Sequence, residues 1–293
     1  MNDVVAASAV YLLAAGSTTL AAQAPGPVGG PDIDELESII VTATRLPIRA
    51  FVVPAMAYSE SAADIQSLYQ SRTLPEALGE VPGVLVQKTA NGQGSPFIRG
   101  FTGFRNVLLI DGIRLNNSVF RDGPNQYWNT VDTFAASRIE VLKGPASVLY
   151  GSDAIGGAVN VLSDVPASAR PGFSPRALYR YSNAESSDTV RGDLTYVDDR
   201  LRATGGYTYK DYGDVEGGGS VGVQPRTGYD EQAANARLEY ELSSRSTLLL
   251  GYQYVNQDDA WRTHRTIYGN GWNGTTIGTD RELVFDQQRQ LGY

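Results

Sequence analysis

The feature of this sequence that most constrains its fold is an alternation of apolar and polar residues at period two in the C-terminal third. From Leu201 to Lys210, every second residue is Leu, Ala, Gly or Tyr, and the residues between them are Arg, Thr, Gly and Lys. The same alternation recurs in residues 190–196 and 236–242. Successive side chains of a β-strand point to opposite faces, so the pattern predicts strands with one apolar and one polar face.

Two kinds of antiparallel sheet produce this pattern. A soluble β-sandwich buries the apolar face, whereas a transmembrane β-barrel turns it towards lipid and its polar face towards the lumen. The connection lengths favour the barrel: tight turns are predicted at 198–199 and 243–244, and long connections rich in Gly, Asp and Asn at 211–230 and 256–280. Short and long connections that alternate in this way are typical of periplasmic turns and extracellular loops. The short connection at 183–188 is the exception.

Five complete strands and the start of a sixth are predicted in this region. They cover about residues 176–183, 189–197, 200–210, 235–242 and 246–255, and the sixth begins near residue 282. A strand of about ten residues suffices to cross a bilayer.

A second region, residues 48–165, lacks this long alternation and has short helices and short apolar runs instead. Ser61 and Thr73 are predicted to cap two short helices, and a strand at 84–87 and a flexible loop at 91–94 follow. From residue 95 to 163, short apolar runs end at Gly, Pro or a charged residue, as short strands do. This alternation of strands and short helices predicts a small α+β domain.

The order of motifs in this region resembles the plug domain of TonB-dependent outer-membrane receptors. The matching pieces are Ile98-Arg99-Gly100, Leu109-Ile110-Asp111-Gly112, Arg138-Ile139-Glu140-Val141, Lys143-Gly144-Pro145, Val148-Leu149-Tyr150-Gly151 and Gly156-Gly157-Ala158-Val159-Asn160. The resemblance implies a plug-like domain (residues 48–165) inside a β-barrel whose wall starts at residues 166–293. A barrel that holds such a plug has about 22 strands, so we expect this chain to be a fragment with five or six of them.

Charged residues interrupt the apolar strands of the plug-like domain. They either reach water or meet opposite charges on the wall of a polar lumen. In the receptors that the chain resembles, the Arg of Ile-Arg-Gly and the basic residue before Gly-Pro pair with barrel carboxylates. The resemblance therefore implies plug–barrel contacts at Arg99, Arg138, Glu140 and Lys143. Lys143 departs from the commoner Arg and cannot make its bidentate contact.

Two loops, 89–95 and 116–129, are expected to lie at the apex of the plug-like domain. The second combines aromatic and hydrogen-bonding residues around Gly123-Pro124. Exposed aromatic side chains beside polar groups can form a ligand-binding surface. The alternative is that these aromatic side chains pack against the barrel wall. The candidate ligand-binding residues are Phe120, Arg121, Gln126, Tyr127 and Trp128.

The N-terminus has the composition of a leader. Val4 to Ala22 is uncharged and rich in Ala, and it ends in an A-x-A pattern at 22–24. We therefore expect a signal peptide at 1–24, although the basic residues that usually begin one are missing and a retained, weakly hydrophobic helix is the alternative. Residues 25–47 are expected to be a disordered linker, because its first half is Pro, Gly and acidic residues.

A β-prone apolar segment ends this linker without a neighbouring partner strand. An exposed segment of this kind can add as a strand to the sheet edge of another protein; the alternative is a first strand packed on the plug-like domain. It resembles the TonB box, which implies TonB-binding residues at Ser38, Ile39, Ile40, Val41, Thr42 and Ala43.

Composition argues against several other functions. With one His and no Cys, the chain has almost no material for zinc sites or His-based triads, and its net charge of −8 argues against nucleic-acid binding. We expect no catalytic residues, metal site or cofactor, and hence no enzyme.

The resemblance implies a receptor in the cell outer membrane, in contact with outer-membrane lipid. Such receptors bind a scarce ligand, namely an iron–siderophore, haem or cobalamin, and import it with energy from TonB and its partners ExbB and ExbD. The alternative is a soluble periplasmic β-rich binding module or enzyme.

Overall fold

A computed structural model describes residues 8–12, 39–53, 55–115, 123, 126–166, 169–262, 267–269, 277–279, 281 and 283–293. These residues form an α+β domain and a separate antiparallel sheet of long strands, which confirms the expected fold class. None of the helices in this part of the chain has the length and apolar character needed to cross a membrane.

Most strands of the C-terminal region are longer than those of the plug-like domain, and Glu216–Gly217 and Gly222–Val223 are short exceptions. In chain order the strands are β1 (Ser8–Leu12), β2 (Ile39–Ile40), β3 (Ile48–Arg49), β4 (Met56–Ser61), β5 (Val84–Ala90), β6 (Gln93–Ile98), β7 (Asn106–Ile110), β8 (Ile113–Arg114), β9 (Arg138–Lys143), β10 (Gly157–Leu162), β11 (Gly172–Ser182), β12 (Ser187–Val197), β13 (Leu201–Tyr212), β14 (Glu216–Gly217), β15 (Gly222–Val223), β16 (Tyr229–Ser243), β17 (Ser246–Trp261) and β18 (Val284–Gly292). The α-helices are α1 (Leu74–Leu78) and α2 (Ser147–Tyr150), and single helical turns lie at Ala50–Val52, Asp64–Tyr69, Gly103–Arg105, Gln126–Asn129 and Thr133–Ala135.

The plug-like domain is built on a five-stranded sheet in the order β4-β9-β10-β7-β8. Strand β10 is parallel to β7 and antiparallel to β9. Strands β9, β10 and β7 lie inside this sheet and are almost entirely buried. Strands β7 and β10 are mostly apolar, as buried strands usually are, whereas β9 carries the charged residues Arg138, Glu140 and Lys143.

One face of this sheet is covered by α1 and the helical turns at Asp64–Tyr69 and Gln126–Asn129. The residues that form this core share almost complete burial: Ile65, Leu74, Ala77, Leu78, Val81, Ile98, Leu108, Ile110, Tyr127, Trp128, Val131, Ala136, Ile139, Val141, Val159 and Val161. The two predicted helix caps are confirmed, since Ser61 Oγ accepts a hydrogen bond from the Asp64 N–H and the Thr73 side chain accepts one from the Glu76 N–H. Each buried aliphatic side chain contributes about 1.5–3 kcal/mol.

The opposite face of the sheet is covered by α2 and by the chain that precedes the plug-like domain. Its smaller core consists of Val107, Leu109, Leu142, Ala146, Tyr150, Ala154 and Ala158. Ala43 packs against this cluster. The N-terminal segment is therefore part of the domain's packing.

The six long strands, with the short strand β1 at one edge, form a wall sheet in the order β1-β11-β12-β13-β16-β17-β18. Its register confirms the predicted alternation. The side chains that face away from the plug-like domain are exposed Tyr, Leu and Val: Tyr179, Val190, Leu194, Tyr207, Tyr209, Tyr240, Leu248, Leu250 and Tyr252. The side chains between them are buried and mostly polar: Thr189, Arg191, Thr208, Lys210, Glu231, Gln253 and Gln257.

The strand boundaries extend further than the alternation indicated. Strand β16 begins at Tyr229 rather than near 235, and β17 continues to Trp261 rather than ending near 255. The backbones of β16 and β17 already pair at Asp230 and Asp258, outside the residues that alternate between apolar and polar. Hydrogen bonds between strands do not need apolar side chains, so the hydropathy pattern alone underestimates the length of these strands.

One local expectation and one alternative were wrong. The loop predicted at 91–94 is a tight turn, because Gln93 and Gly94 already belong to β6 and are buried. Within the expected leader, Ser8–Leu12 pairs with residues 177–181 of β11 as an edge strand, rather than forming a helix. This pairing does not test cleavage, so the signal peptide stays a prediction.

Candidate functional site

The segment of residues 39–45 is docked on the plug-like domain. The sequence suggested a lone exposed strand, but Ile39–Ile40 pairs with Ile48–Arg49, and Ile40 and Thr42 are buried. The exposure expectation was therefore wrong, because Ile40 and Thr42 are buried and Ala43 packs against the second core of the domain. Ser38 lies outside the described residues.

The Glu140 carboxylate holds the backbone of this segment. Its Oε2 accepts hydrogen bonds from the N–H of Val41 (3.0 Å), the N–H of Thr42 (2.7 Å) and the hydroxyl of Thr42 (2.6 Å). Glu140 lies in the middle of β9 and its side chain is fully buried. Hydrogen bonds to a charged acceptor are about twice as strong as neutral ones, so this buried carboxylate is a strong anchor.

Tyr150 on α2 provides a second contact to the same segment. Its hydroxyl donates to the Thr42 carbonyl at 2.7 Å, and the Arg45 guanidinium lies 5.2 Å from the centre of its ring. Burial raises the pKa of Tyr150 above its ordinary value, so the phenol keeps the proton that it donates. The two contacts together fix both the N–H and the carbonyl of Thr42.

A chain of ion pairs connects Glu140 to the wall sheet. Arg138 Nε lies 2.9 Å from Glu140 Oε1, and Arg138 Nη1 lies 3.1 Å from Asp164 Oδ2. The other oxygen of Asp164 lies 3.2 Å from Nη2 of Arg237 on β16. Burial raises the pKa of Asp164, and the two guanidinium groups oppose that shift. Arg237 also reaches Asp111 of the plug-like domain, at 3.1 Å.

The most buried contact between the two sheets surrounds Asp132. Its carboxylate lies 3.0 Å from Lys210 Nζ and 3.2 Å from Arg191 Nη1, and it accepts a 2.6 Å hydrogen bond from the Thr208 hydroxyl. Burial alone would raise the pKa of Asp132, but Lys210 and Arg191 outweigh this effect and lower the pKa to about 2. Asp132 also caps the helical turn at Thr133–Ala135, so it is held in position before it meets the wall.

The wall completes this cluster with its own residues. Lys210 Nζ lies 2.5 Å from Glu231 Oε1, and Gln257 donates to the other Glu231 oxygen at 2.8 Å. Arg191 also pairs with Asp193 and donates to Asn235. The buried charges are therefore paired and hydrogen-bonded, as burial requires.

Further polar contacts join the two parts at their margins. They are Gln66 with Arg176, Arg72 with Glu185, Gln93 with the Ala260 carbonyl, the Thr130 carbonyl with Arg289, and Asp111 with the Tyr293 hydroxyl. The inner face of the wall sheet is thus matched to the plug-like domain mainly by charge and hydrogen bonding, and Leu291 of β18 adds an apolar contact to the larger core.

The four residues implied as plug–barrel contacts make their described contacts with the plug-like domain and with the 39–45 segment docked on it. Arg99 is exposed beside Gly144. Lys143 donates to the Pro82 carbonyl at 2.5 Å and lies 4.2 Å from the centre of the Tyr58 ring. Arg138 and Glu140 pair with each other, and Arg138 reaches the wall through Asp164. Their direct pairing with a barrel stays a prediction.

The contacts that do reach the wall include two residues that the sequence analysis did not single out as site residues. Asp111 stands in the Leu-Ile-Asp-Gly piece, and Asp132 follows the aromatic loop. A clue existed for Asp111, since it ends an apolar strand. Asp132 has no such local signal, because only the tertiary structure places it opposite Lys210.

The candidate ligand residues occupy different environments. Tyr127 and Trp128 are buried in the larger core of the plug-like domain, so the expectation that they are exposed was wrong. Gln126 begins the same helical turn. Phe120 and Arg121 lie outside the described residues. Ligand binding by this loop stays a prediction.

Comparison with known proteins agrees with this architecture. The family model of the TonB-dependent Receptor Plug Domain matches residues 51–158. The chain is also similar to the ferripyoverdine receptor of the outer membrane of Pseudomonas aeruginosa, with 17% sequence identity and a TM-score of 0.64 over 86% of this chain and 33% of that chain.

Two further solved structures are similar. The siderophore receptor PirA from Acinetobacter baumannii has 24% identity and a TM-score of 0.54 over 69% of this chain and 31% of that chain. The copper transporter OprC has 15% identity and a TM-score of 0.59 over 69% of this chain and 30% of that chain. The chain thus spans about a third of the length of these structures. Residues 51–158 match the plug domain of TonB-dependent receptors, and the chain resembles such a receptor in having this domain followed by antiparallel strands of a barrel wall.

Proposed function

We propose that this chain is part of a TonB-dependent receptor of the Gram-negative outer membrane, which binds a scarce ligand at the cell surface and imports it into the periplasm. The observation that carries the proposal is the arrangement of the two sheets. A plug-like domain lies against the polar face of a wall sheet and is joined to it by buried ion pairs such as Asp132–Lys210. A polar inner face is what a plugged barrel lumen requires.

The outward face of the wall sheet supports the membrane location. Tyr179, Tyr207, Leu248 and Leu250 are all exposed there. A contiguous apolar face of this kind is stable against lipid and unfavourable in water. This face disfavours the alternative of a soluble periplasmic module or enzyme. Two measurements on the full-length receptor test this alternative. Solubility without detergent, together with a band in gel electrophoresis whose position is unchanged when the sample is heated, would support the soluble module or enzyme instead.

We propose an iron–siderophore as the ligand. Two of the similar structures are described as a ferripyoverdine receptor and a siderophore receptor, and a third as a copper transporter. The measurement is growth of a receptor-deleted strain that carries the full-length gene, with ferric siderophores, haem and cobalamin supplied one at a time. We expect ferric siderophores to restore growth, and haem and cobalamin not to restore it. Growth restored by haem or cobalamin alone would contradict the iron–siderophore assignment.

We propose that residues 38–43 bind TonB by strand addition, and that TonB is driven by the inner-membrane proton gradient through ExbB and ExbD. Deletion of residues 37–43 from the full-length gene is expected to abolish uptake while surface binding of the ligand persists. The matched control is deletion of residues 25–31, which removes the same length of the linker and should leave uptake unchanged. Uptake that survives the first deletion would contradict the TonB coupling.

A further inference from the structure

The docked form of the 39–45 segment is unsuited to strand addition. The N–H groups of Thr44 and Arg45 both donate to the Val41 carbonyl, at 3.3 and 2.8 Å, so residues 41–45 form a turn. Ile39–Ile40 already pairs with Ile48–Arg49. Strand addition needs an extended backbone with free hydrogen-bonding groups. A partner that captures this segment as a strand must therefore wait until the turn leaves the plug-like domain.

The contacts that oppose this release converge on one side chain. Glu140 accepts three hydrogen bonds from Val41 and Thr42 through a single carboxylate oxygen. Its other oxygen is held by Arg138. A fully buried carboxylate is stable only while such donors and a counter-charge surround it. Glu140 and the segment therefore depend on each other.

The counter-charge of Glu140 is shared with the wall. Arg138 divides its guanidinium between Glu140 and Asp164, and Asp164 divides its carboxylate between Arg138 and Arg237 of β16. If Arg237 moves away from Asp164, Asp164 has Arg138 as its remaining guanidinium in this relay and attracts it more strongly. Glu140 then loses part of its compensation, and the docked state weakens.

We propose that Glu140 is the positioning residue that holds the 39–45 segment on the plug-like domain, and that the relay Arg138–Asp164–Arg237 makes this hold depend on the wall strand β16. The consequence for energy coupling rests on the proposed function, because it assumes that TonB captures this segment. The docking itself does not depend on that assumption. A change in the wall at Arg237 would in this way be transmitted to the segment at Val41 and Thr42.

The test measures how often the segment leaves its docked position. These 293 residues contain no Cys. In a full-length receptor in which any Cys outside them is replaced by Ser, Ala43→Cys introduces a single thiol at a position that packs against the second core. Its rate of reaction with a maleimide in isolated outer membranes reports release. Glu140→Gln is expected to raise this rate about tenfold, the effect of losing one charge-assisted hydrogen bond. Glu140→Asp keeps the charge and should give a smaller increase.

The relay is tested with a matched pair of wall variants. Arg237→Gln is expected to raise the labelling rate at residue 43, whereas Arg176→Gln should not. Arg176 also joins wall to plug, through Gln66, but lies outside the relay. A thiol at Ala136, in the first core of the plug-like domain, should stay unreactive in every variant, which shows that the domain remains folded.

Three outcomes decide the proposal. Unchanged labelling at residue 43 in Glu140→Gln would overturn the positioning role of Glu140. Equal increases in Arg237→Gln and Arg176→Gln would overturn the relay. If labelling responds as expected but the purified periplasmic domain of TonB binds none of the variants, the positioning role stands and the proposed TonB coupling fails.

Discussion

Asp132 of the plug-like domain and Lys210 of the wall strand β13 form an ion pair of 3.0 Å in which both side chains are buried. Lys210 is held from the other side by Glu231, and Asp132 by Arg191 and Thr208. Removing one member of such a cluster leaves the others buried without compensation. Of the contacts between the plug-like domain and the wall sheet, we therefore expect the loss of this ion pair to weaken their association most.

The first prediction concerns Asp132→Asn. The substitution keeps the size of the side chain but removes the charge opposite Lys210 and Arg191, and breaking a buried pair in this way costs about 3–5 kcal/mol. Protease resistance of the plug-like domain in the assembled receptor is the measurement. Asp153→Asn is the matched control, because Asp153 pairs with the partly exposed Arg114 and such pairs contribute at most about 1 kcal/mol. Equal protease resistance of the two variants would contradict the prediction.

The second prediction is a dependence on acidic pH. The pKa of Asp132 is lowered from 3.8 to about 2. A carboxylate with a lowered pKa stabilises the folded state fully above its ordinary pKa, and this contribution, about 2 kcal/mol here, disappears as the pH falls through about 2. Urea unfolding at pH 6 and pH 2.5 should show this loss in the unmodified protein and a smaller loss in Asp132→Asn. A pH dependence that is identical in both would disprove the assignment to Asp132.

The third prediction concerns aspartates that face one another on adjacent strands. Asp211 stands opposite Asp188 on one side and Asp230 on the other. Like charges directly opposite destabilise a sheet by roughly 0.2–1 kcal/mol. Asp211→Asn is therefore expected to raise the stability of the wall sheet by that amount in thermal unfolding. Asp199→Asn, in the tight turn after β12, is the control and should change little. A loss of stability in Asp211→Asn would show that the repulsion is compensated.

The fourth prediction concerns glycines. A Cβ at Gly156 would lie 2.3 Å from Asn106 Oδ1 and 2.8 Å from the Ile98 carbonyl, whereas one at Gly192 would have nothing within 4 Å. Gly156→Ala should therefore destabilise the plug-like domain by about 1–3 kcal/mol, and Gly192→Ala should be tolerated. Chemical denaturation of the two variants provides the comparison, and equal stabilities would refute the close packing at Gly156.

The wall strands could be derived from the sequence because their signal is local. Each residue from Leu201 to Lys210 contributes to the same two-residue period, and strand geometry converts that period directly into two faces. The helix caps at Ser61 and Thr73 were equally local, since the capping side chain and its N–H partner lie three residues apart. The plug-like domain followed from a resemblance carried by short motifs.

The partners of the charged residues could not be derived in this way. Glu140 and Thr42 are 98 residues apart, and Asp132 and Thr208 are 76 apart, so no local pattern relates them. Burial of the 39–45 segment likewise depends on a cluster formed by distant strands. The sequence alone determined which stretches become strands and which of their faces are apolar, because those properties depend on neighbouring residues. The tertiary structure alone decided which charges meet, because an ion pair depends on distance in space and on exclusion of water, and both arise only when the sheets pack together.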